Sequence, residues 1–215
     1  ASELPPDVRQ EGYSPNAQQD VSSAWATRYA TLTSELATRA AQHLSGDGGC
    51  HDLSAACRTR RVQQLGRLAF RRSLSAAEQA SFEQLLSEEA DNGAGFADGL
   101  ALLLRALLES PSFLYVTELG TGGAAGSATR LDDAELGSQL SFLLTGGPPD
   151  EELLSAAARG DLRQAEGRVA QALRLLALPR ARYQFRRFVL EWLEVDALLQ
   201  TAKSSQLFPS YEALK

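Results

Sequence analysis

Isoleucine and methionine are missing from the 215 residues, only seven valines remain, and two lysines accompany 19 arginines. With so few β-branched apolar side chains, little is left to fill a sheet, which argues against all-β and parallel-sheet α/β folds. The richest apolar stretch, Gly99 to Leu108, is broken by Arg105, so no segment reaches the roughly 20 apolar residues a membrane-spanning helix needs. Two histidines and two cysteines are the whole stock of imidazole and thiol chemistry. A formal net charge of −6 works against nucleic acid as a partner. Without methionine, Ala1 is expected to follow a removed signal, a processed precursor or a cut end.

What is abundant is Leu and Ala, 36 and 34 residues, the strongest helix formers among apolar types. The pattern predicts an all-α, irregular multi-helix bundle of about eight helices in two lobes, preceded by an extended arm. Residues 1–116 form the arm and a four-helix lobe. Residues 117–130, with Gly120, Gly122, Gly123 and Gly126, form a connector or exposed loop. Residues 131–215 form a second helical lobe, which is expected to continue past the chain end.

Within the first lobe, Trp25, Tyr29, Leu32 and Leu36 mark a helix from about Ser22 to Leu44. Val62, Leu65 and Ala69 mark a second. Ser75 and Glu78 spell a capping box that starts a third, with Phe82, Leu85 and Leu86. Phe96, Leu100, Leu103, Leu104 and Leu107 stripe a fourth, stopped by Ser110-Pro111. In the second lobe Asp132 and Asp150 open two helices. A seventh, from about Gln164 to Leu178, is expected to turn Val169, Leu173 and Leu176 inward. An eighth follows Pro179 with Phe185, Phe188, Val189 and Trp192 on its apolar stripe.

Cys50 and Cys57 lie in a Gly-rich approach containing Asp52 and Ser54. On one continuous helix they would stand roughly 10 Å apart, out of disulfide reach; in a loop closure is feasible. A disulfide implies an oxidising compartment, and hence export to a periplasmic, outer-surface or extracellular site. The alternative is two unrelated thiols in a cytosolic helical protein. Cys50-His51 lacks the Cys-x-x-Cys-His pattern of covalent haem attachment. Zinc asks for about four ligands, so His43 and His51 are only weak metal candidates. Neither accompanies a Gly-x-Ser-x-Gly elbow, and no catalytic residue is assigned.

The arginines of the second helix are expected to pair with carboxylates of neighbouring helices, Arg67, Arg71 and Arg72 above all. Polyanion or polysaccharide binding through this helix is the weaker reading. The clusters Asp132/Asp133/Glu135 and Asp150/Glu151/Glu152 sit at expected helix N-termini, where they serve as caps.

Five blocks fall in a characteristic order. They begin with Leu65-Gly66-Arg67-Leu68-Ala69-Phe70-Arg71-Arg72-Ser73-Leu74 and Leu107-Leu108-Glu109-Ser110-Pro111-Ser112-Phe113-Leu114-Tyr115. Arg130-Leu131-Asp132-Asp133-Ala134-Glu135-Leu136-Gly137-Ser138-Gln139-Leu140-Ser141-Phe142-Leu143 comes next, before Pro149-Asp150-Glu151-Glu152-Leu153-Leu154. Leu178-Pro179-Arg180-Ala181-Arg182, leading to Trp192-Leu193, closes the series. Together they resemble large exported bacterial proteins built of adjacent domains of unknown function (the fifteen-ninety-five and fifteen-ninety-two type modules), often associated with c-type cytochrome modules. Ser73 stands where a proline is usual, and Leu144-Thr145 where a tryptophan is expected.

The resemblance implies a helical scaffold or interaction module of an exported multidomain protein in a cytochrome-associated system. No cofactor is expected in this chain, with haem on another module or a partner. Partners would be flanking segments of the same precursor or another protein chain. The alternative is part of a secreted redox enzyme or hydrolase whose site is completed by another segment.

Overall fold

The computed structural model describes residues 22–45, 50–121, 128–195, 203–204 and 206–210. The expected N-terminal arm, residues 1–21, and the centre of the Gly-rich connector lie outside the described residues. Among those described the fold is all-α, with nine α-helices and one 3-10 turn. A single antiparallel bridge, Thr121 to Arg130, is the only extended pairing among them.

The first five helices are α1 (Ser23–Leu44), α2 (Ala55–Phe70), α3 (Ala76–Asp91), α4 (Phe96–Leu108) and the short α5 (Pro111–Leu114). Local chemistry sets their ends. Ser22 accepts from the Trp25 amide at 3.2 Å. At α3, Ser75 accepts from the Glu78 amide at 3.2 Å while Glu78 accepts from the Ser75 amide at 2.8 Å, closing the capping box on both sides. Ser110-Pro111 stops α4 as the sequence indicates, and the proline then serves at the start of α5, an element absent from the sequence reading.

The core of this part gathers Ala41, Val62, Leu65, Phe70, Leu86, Leu100, Leu103 and Leu107. It differs from the sequence reading at α1. The residues buried there are Thr33, Ala37 and Ala41, while Leu36 is exposed. Small side chains at i, i+4 and i+8 line one face of α1, whose closest helical neighbour is α4. Gly66 of α2 has a parallel role, since a Cβ there would run into the Leu74 side chain, as close as 2.5 Å to Cδ1.

Beyond the connector run α6 (Asp133–Thr145), α7 (Glu151–Arg159), the 3-10 turn Asp161–Arg163, α8 (Ala165–Leu176) and α9 (Pro179–Trp192). Asp132 and Glu135 form a second two-sided capping box. Gly146 and Gly160 end α6 and α7 in the left-handed region, at φ 67° and 79°, where glycine alone is unstrained. The apolar core here is small, with Leu153, Ala157, Leu162 and Leu175 buried.

The stripes of α8 and α9 overturn the sequence reading. Val169, Leu173 and Leu176 are exposed, as are Phe185, Phe188 and Trp192. The reason lies in what each helix turns inward instead. On α8, Arg174 clamps Asp150 through two bonds of 2.8 Å, and Arg168 donates to the carbonyls of Leu162 and Arg163 at 2.8 and 3.0 Å. Gly167 lets the helix backbone meet Asp161 closely. On α9, Ala181 and Glu191 are buried, and the Gln184 side chain lies against Gly146. Charge-assisted bonds and close backbone approach set the orientation, which leaves the apolar stripes outside.

Candidate functional site

Cys50 and Cys57 are joined in a disulfide with Cα atoms 5.5 Å apart. Cys50 is buried in the loop before α2, and Cys57 sits in the first turn of that helix. The sequence reading placed both in a loop; one helical turn suffices to bring the second thiol within reach. Asp52 accepts from the Ser54 amide at 3.1 Å, and hydrogen bonding from Ser54, its side chain before its amide, holds the exposed Asp52 carboxyl below the ordinary range. His51 is exposed, with Nδ1 3.3 Å from the Ser45 carbonyl oxygen. His43 is exposed in the last turn of α1. Among the described residues no three His, Cys, Asp or Glu side chains are grouped to hold a metal ion.

The three singled-out arginines have different partners. Arg67 reaches out of α2 to α7, meeting Glu151 at 2.7 Å and the Ser155 hydroxyl at 3.0 Å. Arg72 makes a bidentate pair with Glu78 at 2.8 and 2.7 Å, and this pairing is the main reason the Glu78 carboxyl is pushed down to about 2. Arg71 departs from the expected carboxylate pairing. Its buried guanidinium donates to the carbonyls of Ser112 and Tyr115 at 2.7 and 2.8 Å, and to those of Phe113 and Ala69 at 3.1 and 3.2 Å. The physical reason is local. Arg71 occupies the left-handed C-cap of α2, with φ 59°, and α5 ends against it with carbonyls that have no helical donor. Burial lowers its pKa, with a further push from Arg72. Two of the sequence blocks, one ending α2 and one forming α5, therefore meet at this side chain.

The acidic clusters are engaged in the same structural way. Asp150 caps α7 through the Leu153 amide at 3.0 Å and holds Arg174. Asp133 pairs with Arg163 at 2.7 Å. Glu135 does more than close its capping box: its carboxylate also accepts from the amides of Leu119 and Gly120, at 2.8 and 3.0 Å, and so ties the near end of the connector to α6.

Two clefts lie beside these arginines. The larger, of about 660 Å³, runs between α2 and α7 and is lined by Arg60, Gln63, Gln64, Arg67, Gln79 and Glu151, among others. The smaller, of about 390 Å³, lies beside Arg71, Arg72 and Glu135. Neither is lined by His or Cys, and the carboxylate of the larger is already bonded to Arg67. Leu68 and Leu74 also line the larger cleft, so the two are mixed polar and apolar seams between helices.

What sequence reasoning missed is which helix faces form the apolar surface. Among the described residues, eleven of the sixteen exposed large apolar side chains lie after residue 131. Trp192 is 63% exposed and Phe185 68%, values foreign to a side chain packed in its own core. On α9 the rings of Phe188 and Trp192 stack at 6.3 Å. A signal was available in the arginines of α8, since a helix with Arg168 and Arg174 on one side has two candidate inner faces.

The fold and its surface define an all-helical protein with a minor second core and apolar helix faces left to solvent. Residues 57–118 match the family model PSD5, protein of unknown function (DUF1595), and residues 131–215 match PSD4, protein of unknown function (DUF1592). The two matches lie side by side along the chain, in the order its sequence blocks indicate. No curated protein and no solved structure matches it.

Proposed function

We propose that this chain is a helical scaffold or interaction module of an exported multidomain protein. The observation that carries the reading is the outward apolar surface of α8 and α9. Val169, Leu173 and Leu176 recur at helical spacing, as do Phe185, Phe188 and Trp192, and all six side chains are about half exposed or more. Faces of this kind mark interaction sites, and the core behind them is too small to account for so many large side chains. Flanking segments of the same precursor, or another protein chain, would cover them.

Export is supported by the disulfide, which persists in oxidising compartments. The resemblance to cytochrome-associated proteins adds a setting in which haem belongs to a neighbouring module or partner. Both cysteines of this chain are joined to each other, leaving neither for thioether attachment.

Hydroxyl-radical footprinting tests the reading. Phe185, Phe188 and Trp192 should label strongly in the 215-residue chain and several-fold less in the product of its intact gene purified with its partners. Equal labelling in the two preparations would overturn it.

A further inference from the structure

The helices before the connector, α1–α5, and those after it, α6–α9, share no apolar core. The buried residues of the larger core end at Leu107 and those of the smaller begin at Leu153, and the closely packed helix pairs among the described residues all lie on one side or the other. The bonds that cross from helix to helix among these residues are polar. Arg67 meets Glu151 and Ser155, and Arg72, already bonded to Glu78, feels the charge of Asp132. The link between the two sets of helices is anchored at two points. Arg71 holds the carbonyls of Ser112, Phe113 and Tyr115 to the end of α2. Glu135 holds the amides of Leu119 and Gly120 to α6, and the Thr121–Arg130 bridge continues that anchorage. Between the anchors Val116, Thr117 and Glu118 are exposed, lie outside any helix and form no hydrogen bond among the described residues. The first family match ends at the third of them, residue 118.

We infer that Val116, Thr117 and Glu118 form a hinge on which α1–α5 and α6–α9 swing as two lobes, and that Arg67 with Glu151 and Ser155 is the latch that closes them. Units with separate cores and a polar interface move relative to one another unless something large and apolar joins them. A few loop residues between fixed points suffice to absorb the backbone rotation. The two clefts divide the parts of this device. Val116 and Thr117 line the smaller cleft with Arg72 and Asp132, so the attraction between those two charges sits beside the pivot. Arg67 and Glu151 line the larger, which widens as the latch opens. The latch is weak because it is wet: its arginine side chain is 30% exposed and its glutamate 63%. A pair of this kind biases an equilibrium by only a few-fold, and salt screens it. Closed and open forms are therefore both populated, in a ratio set by ionic strength. The device works independently of what covers α8 and α9.

Nitroxides on S81C and A158C, exposed positions of α3 and α7, report the distance between the lobes by double electron–electron resonance, with the Cys50–Cys57 disulfide left oxidised. At low ionic strength two distance populations are expected, the shorter one dominant. Salt at about 0.5 M, where screening reaches only a few Å, should raise the longer population a few-fold. Glu151→Gln and Arg67→Gln should each do the same at low salt, and R67Q/E151Q should go no further than either alone, because both remove one contact. Replacing Val116, Thr117 and Glu118 together by glycine should broaden the distribution, with circular dichroism showing unchanged helicity. A single distance insensitive to salt and to Glu151→Gln would make the chain one rigid body and overturn the inference. Additive effects of the two glutamine variants would remove the latch, and an unchanged distribution in the glycine variant would remove the hinge; either result overturns it as well.

Discussion

At the scale of single residues, the arginines show how one side-chain type takes different roles according to what surrounds it. Arg71 satisfies carbonyls at the end of α5, so Arg71→Ala leaves buried acceptors without donors. A loss of about 3 kcal/mol in urea-unfolding free energy is expected, well above the effect of an ordinary surface change. Glu78 is held near 2 chiefly by Arg72, against an ordinary value of 4.5. A depressed folded-state value means stabilisation that is complete above 4.5 and fades as pH falls towards about 2. Thermal melts across that window should therefore drop less steeply in Glu78→Gln than in the parent. Gly66 meets Leu74 closely, so Gly66→Val should cost about 1–3 kcal/mol by overpacking, read in the same unfolding experiment.

At the scale of helices, periodicity located every long helix and turned the stripe of α8 the wrong way. The helix starts at Ser75, Asp132 and Asp150 were legible because caps are local chemistry, written within three residues of each other. The inner faces of α1, α8 and α9 were not, because an apolar stripe says only that a helix has two unlike sides. On α8, clamping Asp150 with Arg174 requires the stripe to face outward. A direct consequence is measurable. Phe185→Ser and Trp192→Ser should change the stability of the isolated chain by less than about 0.5 kcal/mol, as surface substitutions do. Leu175→Ala, from a fully buried side chain on the opposite side of α8, should cost about 2–4 kcal/mol. Equal losses in all three variants would show that the aromatic stripe is packed after all.

For the molecule as a whole, the two apolar cores are unequal, and the disulfide staples the side that is already the larger. Closing so short a loop is worth about 2.5 kcal/mol in the chain-entropy model. Unfolding in reductant should show a loss of that order, and intact-mass analysis should find two alkylatable thiols only after reduction. Arg67 with Glu151 and Ser155 links α2 to α7 through groups partly open to solvent. A double-mutant cycle on Arg67 and Glu151 should accordingly return less than about 1 kcal/mol of coupling. The smaller core has the opposite character: large apolar side chains of α8 and α9 stand outside it.

Composition alone determined the fold class, because a chain rich in Leu and Ala and short of β-branched residues has little with which to fill a sheet. Local motifs determined where helices begin, since a cap is completed by neighbours in sequence. Tertiary structure decided which faces are inside and what each arginine holds. Those outcomes depend on partners that are distant in sequence: the α5 carbonyls for Arg71, Asp150 for Arg174, and Gly146 for Gln184. The outward stripe of α9 is the clearest case, because the same periodicity describes a helix packed in a core and one that presents its apolar side to a partner.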